Sequence, residues 1–86
     1  MKLHQLQALV GVVEHGSIRA AARAMHLSQA ALTKSLRQLE EDAGVSLLLR
    51  QARGVTLTPA GQRLHARAQL VSRQLALAQE IGRAHV

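Results

Sequence analysis

Residues Gly16 to Glu41, GSIRAAARAMHLSQAALTKSLRQLEE, contain two helical patterns with almost nothing between them. The first, Ile18 to about Met25, places Ile18, Ala21, Ala22 and Met25 on one face. Alanine lets helix axes approach closely, so this slim helix is suited to brace its neighbours, although alanine is also simply a good helix former. His26 and Leu27 make the turn, and Ser28 is an N-cap for a further helix running to about Ala43. On that helix Leu32, Leu36, Leu39 and Ala43 face inward, while Gln29, Ala30, Thr33, Lys34 and Arg37 line the opposite side. Gly44 offers a C-terminal stop.

The flanking segments complete a small mainly helical fold. Leu3, Leu6, Leu9, Val10 and Val13 recur at helical spacing and predict a first helix over 3–14, stopped by Gly16, with Ser17 capping the next. Gly11 weakens that helix unless a close crossing requires it. From Val45 to Thr58, Val55 and Leu57 alternate with Thr56 and Thr58 around a reversal at Arg53-Gly54, which predicts a two-stranded hairpin. Thr58 and Pro59 then cap and start a long helix, with nothing to break it before Val86 except fraying near Gly82. Leu64, Ala68, Val71, Leu75 and Ala78 follow the 4-3-4-3 spacing of a coiled-coil seam, and Leu70, Leu77 and Ile81 form a second strip. So small a domain cannot bury both stripes, so one is expected to meet a second copy of the chain or a domain missing from it.

Composition narrows the function classes. The 86 residues allow one small core, and there is no cysteine to staple it. Eleven Lys+Arg against five Asp+Glu, a formal charge of +6, suit a polyanionic partner, though a solvated basic face has the same charge. The absence of Phe, Trp and Tyr disfavours single-stranded nucleic acid, whose bases are usually stacked on aromatic rings. No apolar run approaches the ~20 residues of a membrane span, and Met1-Lys2 leads into a polar-interrupted pattern rather than a signal-peptide core. A cytoplasmic protein without a membrane association or a cofactor is expected.

Three helices, a tight turn before a polar-faced third helix and a basic hairpin describe a winged helix-turn-helix. Entering the major groove N-terminus first, the third helix would bring Gln29, Ala30, Thr33 and Lys34 to base edges. Arg37 and Ser28 are placed for phosphate, Arg53 at the hairpin tip for a narrow minor groove, and Arg19, Arg23 and Arg50 for backbone contacts. An enzyme is disfavoured, because His4, His15, His26, His65 and His85 lie in unrelated segments without a metal or acid–base pattern. Glu40-Glu41-Asp42 reads as a solvated acidic patch, partly paired with Arg37. A helical interaction module would not need basic residues clustered on one helix face and a hairpin tip, and a membrane-surface helix would want aromatic anchors that residues 63–83 lack.

The segments GSIRAAARAMHLSQAALTKSLRQLEEDAGVSLLLR and GVTLTPAG resemble, in register and without a gap, the N-terminal DNA-binding domain of LysR-type transcriptional regulators. The resemblance implies a winged helix-turn-helix over 1–58 and a linker helix over 59–86 through which two chains pair, and the seam spacing puts Leu64, Val71, Leu75 and Ala78 forward as its dimerisation residues. It implies binding to double-stranded promoter operators, as a homodimer on an interrupted palindrome, with base reading by Gln29, Ala30, Thr33 and Lys34 and a wing arginine at Arg53. It further implies a tetrameric full-length protein at the bacterial nucleoid, and a small-molecule effector acting through a C-terminal domain absent from this chain. Ala30 stands where the family commonly has proline, and Ile18 and Leu48 where it has Phe.

Overall fold

Local capping chemistry sets most of the element boundaries. The structure, a computed structural model, describes residues 1–84. The elements run α1 (Leu3–His15), α2 (Ile18–Ala24), α3 (Gln29–Ala43), β1 (Leu48–Gln51), β2 (Gly54–Leu57) and α4 (Pro59–Ala84). This is the expected mainly helical winged helix-turn-helix followed by a long helix. The end of the anticipated run to Val86, including His85, lies outside the described residues.

α1 ends at Gly16, whose φ of 82° is left-handed and whose N–H donates to the Val12 carbonyl. Ser17 Oγ then accepts from Ala20 N–H at 3.1 Å and starts α2. Ala21 and Ala22 are buried, so the slim helix does serve as a close-packed brace against α1 and α3. The glycine inside α1 has its reason in the same contact. A Cβ at Gly11 would come within 2.6 Å of Met25 Sδ, so a side chain there would require the Met25 thioether to move aside at the crossing of α1 with the end of α2. The turn into α3 carries His26 at φ 57°, a left-handed conformation on a residue with a Cβ. Ser28 Oγ accepts from Ala31 N–H at 3.0 Å, and α3 stops at Gly44 with φ 71°.

The core is aliphatic throughout. Leu9, Val12, Leu32, Leu39 and Leu47 are its largest fully buried side chains, drawn from α1, α3 and the segment before the wing. β1 and β2 pair antiparallel with Leu48 opposite Leu57 and Gln51 opposite Gly54, leaving Ala52 and Arg53 as the two-residue tip. Gly54, at φ 136°, packs so closely on the α1–α2 corner that a Cβ would collide with the Gly16 carbonyl oxygen. Val55 N–H donates to the same oxygen at 3.3 Å, which anchors the wing to that corner. Thr58 leaves the strand pattern: its Oγ1 accepts from Gly61 N–H at 3.0 Å and caps α4, while its hydroxyl donates to the Ser46 carbonyl at 2.7 Å.

α4 has 26 residues, about 39 Å at ~1.5 Å per residue. Its first half belongs to the core: Gly61 and Ala68 are buried, and Leu64 packs against the central cluster. Leu64 and Ala68 therefore face their own domain rather than lying open on a seam, because a 4-3 spacing marks an apolar stripe without saying which surface covers it. Farther along, Val71, Leu70, Leu77 and Ile81 are exposed by 40 to 63%. Gly82, expected to fray, lies within regular helix. No helix among the described residues is long and apolar enough to cross a membrane.

Candidate nucleic-acid interface

Burial of Leu32, Leu36 and Leu39 fixes the rotation of α3, and that rotation decides what the helix shows to solvent. Gln29, Ala30, Lys34 and Arg37 are exposed, and Thr33 is half-buried. Ala30, Thr33, Lys34 and Arg37 share one shallow hollow of about 420 Å³ with Gln38 and Glu41. The expected base-reading and phosphate residues of this helix are thus contiguous apart from Gln29, which lies one residue inside the cap. Gln38 is an addition that the sequence pattern did not single out, and Glu41 was read there only as part of the acidic patch. Ser28 Oγ is engaged in its cap, yet its hydroxyl proton remains available to an acceptor.

A second hollow, of about 230 Å³, lies at the base of the wing between Arg50, Gln51 and Gly54 and the start of α2 at Ser17 and Ile18. Arg50 is therefore beside the α2 N-terminus, whereas Arg53 projects exposed from the hairpin tip. Arg19 and Arg23 are exposed one turn apart on α2. Among the described residues none of these arginines, nor Lys34 or Arg37, is within ion-pairing distance of a carboxylate; the ion pair present joins the Met1 amino group to Asp42 at 3.1 Å. The basic side chains of α2, α3 and the wing are thus not held in ion pairs among the described residues, which leaves them free to meet an external polyanion.

The acidic patch is solvated at Glu41 and Asp42, as expected, but it is not paired with Arg37, and Glu40 is engaged elsewhere. Arg37 and Glu41 form no ion pair, in keeping with the small free energy of exposed i,i+4 pairs against side-chain entropy. Glu40 is half-buried, and its Oε2 accepts from Leu47 N–H at 2.7 Å, from Leu48 N–H at 3.3 Å and from the Ser46 hydroxyl at 3.3 Å. No sequence spacing announces that role, because the partners lie six to eight residues on, across a turn. Among the described residues no group of His, Asp or Glu side chains is arranged to hold a metal ion.

Along α4, Val71, Leu75 and Ala78 continue past the buried Ala68, with Leu75 half-buried and Val71 and Ala78 exposed. They adjoin the open row of Leu70, Leu77 and Ile81.

Known proteins share this arrangement. The family described as "Bacterial regulatory helix-turn-helix protein, lysR family" matches residues 3–62. The HTH-type transcriptional regulator TfdS of Cupriavidus pinatubonensis is 48% identical over 61 residues, which are 71% of this chain and 21% of that protein. Among solved structures, the CbnR DBD–DNA complex is similar with a TM-score of 0.85 and 35% identity, over 99% of this chain and 98% of that one. The BenM DBD complex with benA site 1 DNA has a TM-score of 0.86 and 29% identity over the whole of both chains. The chain spans about a fifth of the length of the curated relatives it matches.

Proposed function

Because this chain belongs to the lysR family of bacterial regulatory helix-turn-helix proteins, we propose that it binds double-stranded DNA as the reading head of a transcriptional regulator. The observation that carries this reading is the exposed polar face of α3, whose Lys34 and Arg37 make no ion pair among the described residues, held in fixed rotation by three buried leucines. In the major groove, Gln29 can pair bidentately with adenine, Lys34 can donate to guanine, and the methyl groups of Ala30 and Thr33 can touch thymine. Ser28, Arg37, Arg50, Arg19 and Arg23 hold phosphates and set position, and Arg53 enters the adjacent minor groove from the wing tip.

Two chains pair through residues 59–86, and two heads then meet the two halves of an interrupted palindrome. The exposed apolar row of α4 supports this, since among the described residues Val71 and Ala78 stay exposed beside Leu70, Leu77 and Ile81. Leu75 contributes at the margin, and Leu64 acts indirectly by holding α4 on the core. In a longer regulator, located in the bacterial cytoplasm on the nucleoid, tetramer assembly and a small-molecule effector would act through a further C-terminal domain.

Selection of bound duplexes from a random-sequence pool at about 150 mM salt, where nonspecific phosphate binding is reduced, tests the proposal. Enrichment of an interrupted palindrome is expected. A single enriched half-site would remove the pairing, and no enrichment would remove sequence-specific DNA binding altogether.

A further inference from the structure

Glu40 lies on α3 beyond the residues that face bases, and it touches none of them; what it touches is the root of the wing. Its Oε2 receives the backbone N–H groups of Leu47 and Leu48, the last residue before β1 and the first within it. The next links run onward from the same residues. Leu47 carbonyl accepts from Thr58 N–H at 3.0 Å, Ser46 carbonyl accepts from the Thr58 hydroxyl at 2.7 Å, and Thr58 Oγ1 accepts from Gly61 N–H. One carboxylate on α3 is thus the first member of a hydrogen-bonded chain through both ends of the wing into α4.

We infer that Glu40 is the positioning residue of the wing: it fixes the placement of Arg53 relative to the base-reading face of α3, so that both engage one duplex together. The physical reason lies in the hairpin's size. Four-residue strands joined by a two-residue tip have little surface of their own to bury, so their aim depends on how the root is held. The tip-side anchor at Gly16 fixes β2, and Glu40 fixes the entry into β1. A carboxylate accepting several N–H and O–H donors is a stiffer tether than a neutral pair, because charge-assisted hydrogen bonds are roughly twice as strong. This inference rests on the DNA-binding reading proposed above.

The test is a set of double-mutant cycles on the duplex enriched by the wild-type chain, read as dissociation constants, with far-UV circular dichroism to show that each variant is folded. Arg53→Ala and Glu40→Ala are each expected to lose about tenfold in affinity, the order of one side-chain contact. The double variant should be no weaker than either single one, because the loss is shared. Glu40→Ala combined with Lys34→Ala should instead multiply the two losses. Glu40→Gln, which keeps an acceptor but no charge, should lose about threefold while Arg53 is present and nothing further in its absence, and it carries the cycle should Glu40→Ala fail to fold. A purely structural role would lower affinity independently of Arg53, so multiplicative losses with Arg53→Ala overturn the inference. Unchanged affinity in Arg53→Ala, or in Glu40→Ala, overturns it as well. If the wild-type chain enriches no duplex, the DNA-binding reading itself falls and takes this one with it; multiplicative losses on an enriched duplex refute the wing assignment alone.

Discussion

Replacing Gly61 by alanine sets two effects of opposite sign against each other in the first turn of α4. Alanine is the better helix former by about 1 kcal/mol in a helix interior, so propensity alone predicts a gain. The surroundings predict a loss. A Cβ at Gly61 would overlap the Leu47 carbonyl oxygen and lie 3.0 Å from Leu47 C and 3.2 Å from Leu57 Cδ2. The obstacle is backbone, and it is held: the Leu47 carbonyl accepts from Thr58 N–H, its N–H is bound by Glu40, and its side chain is fully buried. Overpacking of this kind costs about 1–3 kcal/mol, and backbone on both sides places it at the upper end. The net expectation is a loss of about 2 kcal/mol, which lowers the Tm of a domain this size by about 8–16 °C. Gly82→Ala in the same helix is the control, since nothing among the described residues lies within 4 Å of its Cβ position, and it should raise Tm by up to about 4–8 °C. Thermal melts followed at 222 nm, at one protein concentration, decide the matter. A Gly61→Ala protein as stable as the wild type would refute the close approach of α4 to the wing root.

His26→Gly relieves a left-handed residue at φ 57° and should add about 1 kcal/mol of stability by urea denaturation; a loss would mean that the imidazole contributes more than its strain costs. Leu32→Ala removes a fully buried side chain and should cost about 2–5 kcal/mol in the same assay. Lys34→Ala should leave the fold intact and relax base preference by about 1–3 kcal/mol at one position of each half-site, measured by repeating the duplex selection. Leu77→Glu places a charge in the open row of α4 and should shift sedimentation towards monomer; an unaltered dimer would exclude that row as the interface.

The boundaries most legible in the sequence are those made by local chemistry. Gly16, Ser17, Ser28, Gly44 and the Thr58-Pro59 pair act through bonds spanning a few residues, and each stops or starts a helix as its residue type demands. The polar face of α3 was readable for the same reason, because three leucines at helical spacing leave its orientation little choice. Contacts between elements were not readable. Glu40 looked like one of three neighbouring surface acids, and only the fold brings the wing root to it. Leu64 and Ala68 fitted a seam between chains as well as they fit the core they occupy.

The burial of α4's first half has a mechanical consequence. With Gly61 against the Leu47 carbonyl and Ala68 in the packed interior, this helix is welded to the head and has no hinge between them. Over its length of about 39 Å, a tilt of about 5° applied at the far end displaces the head by about 3 Å. That is close to the ~3.4 Å between successive base pairs along a duplex. With the head seated on a duplex as proposed above, the helix would act as a lever with high gain: a small angular input at its far end would shift the head by about one step of the DNA ladder.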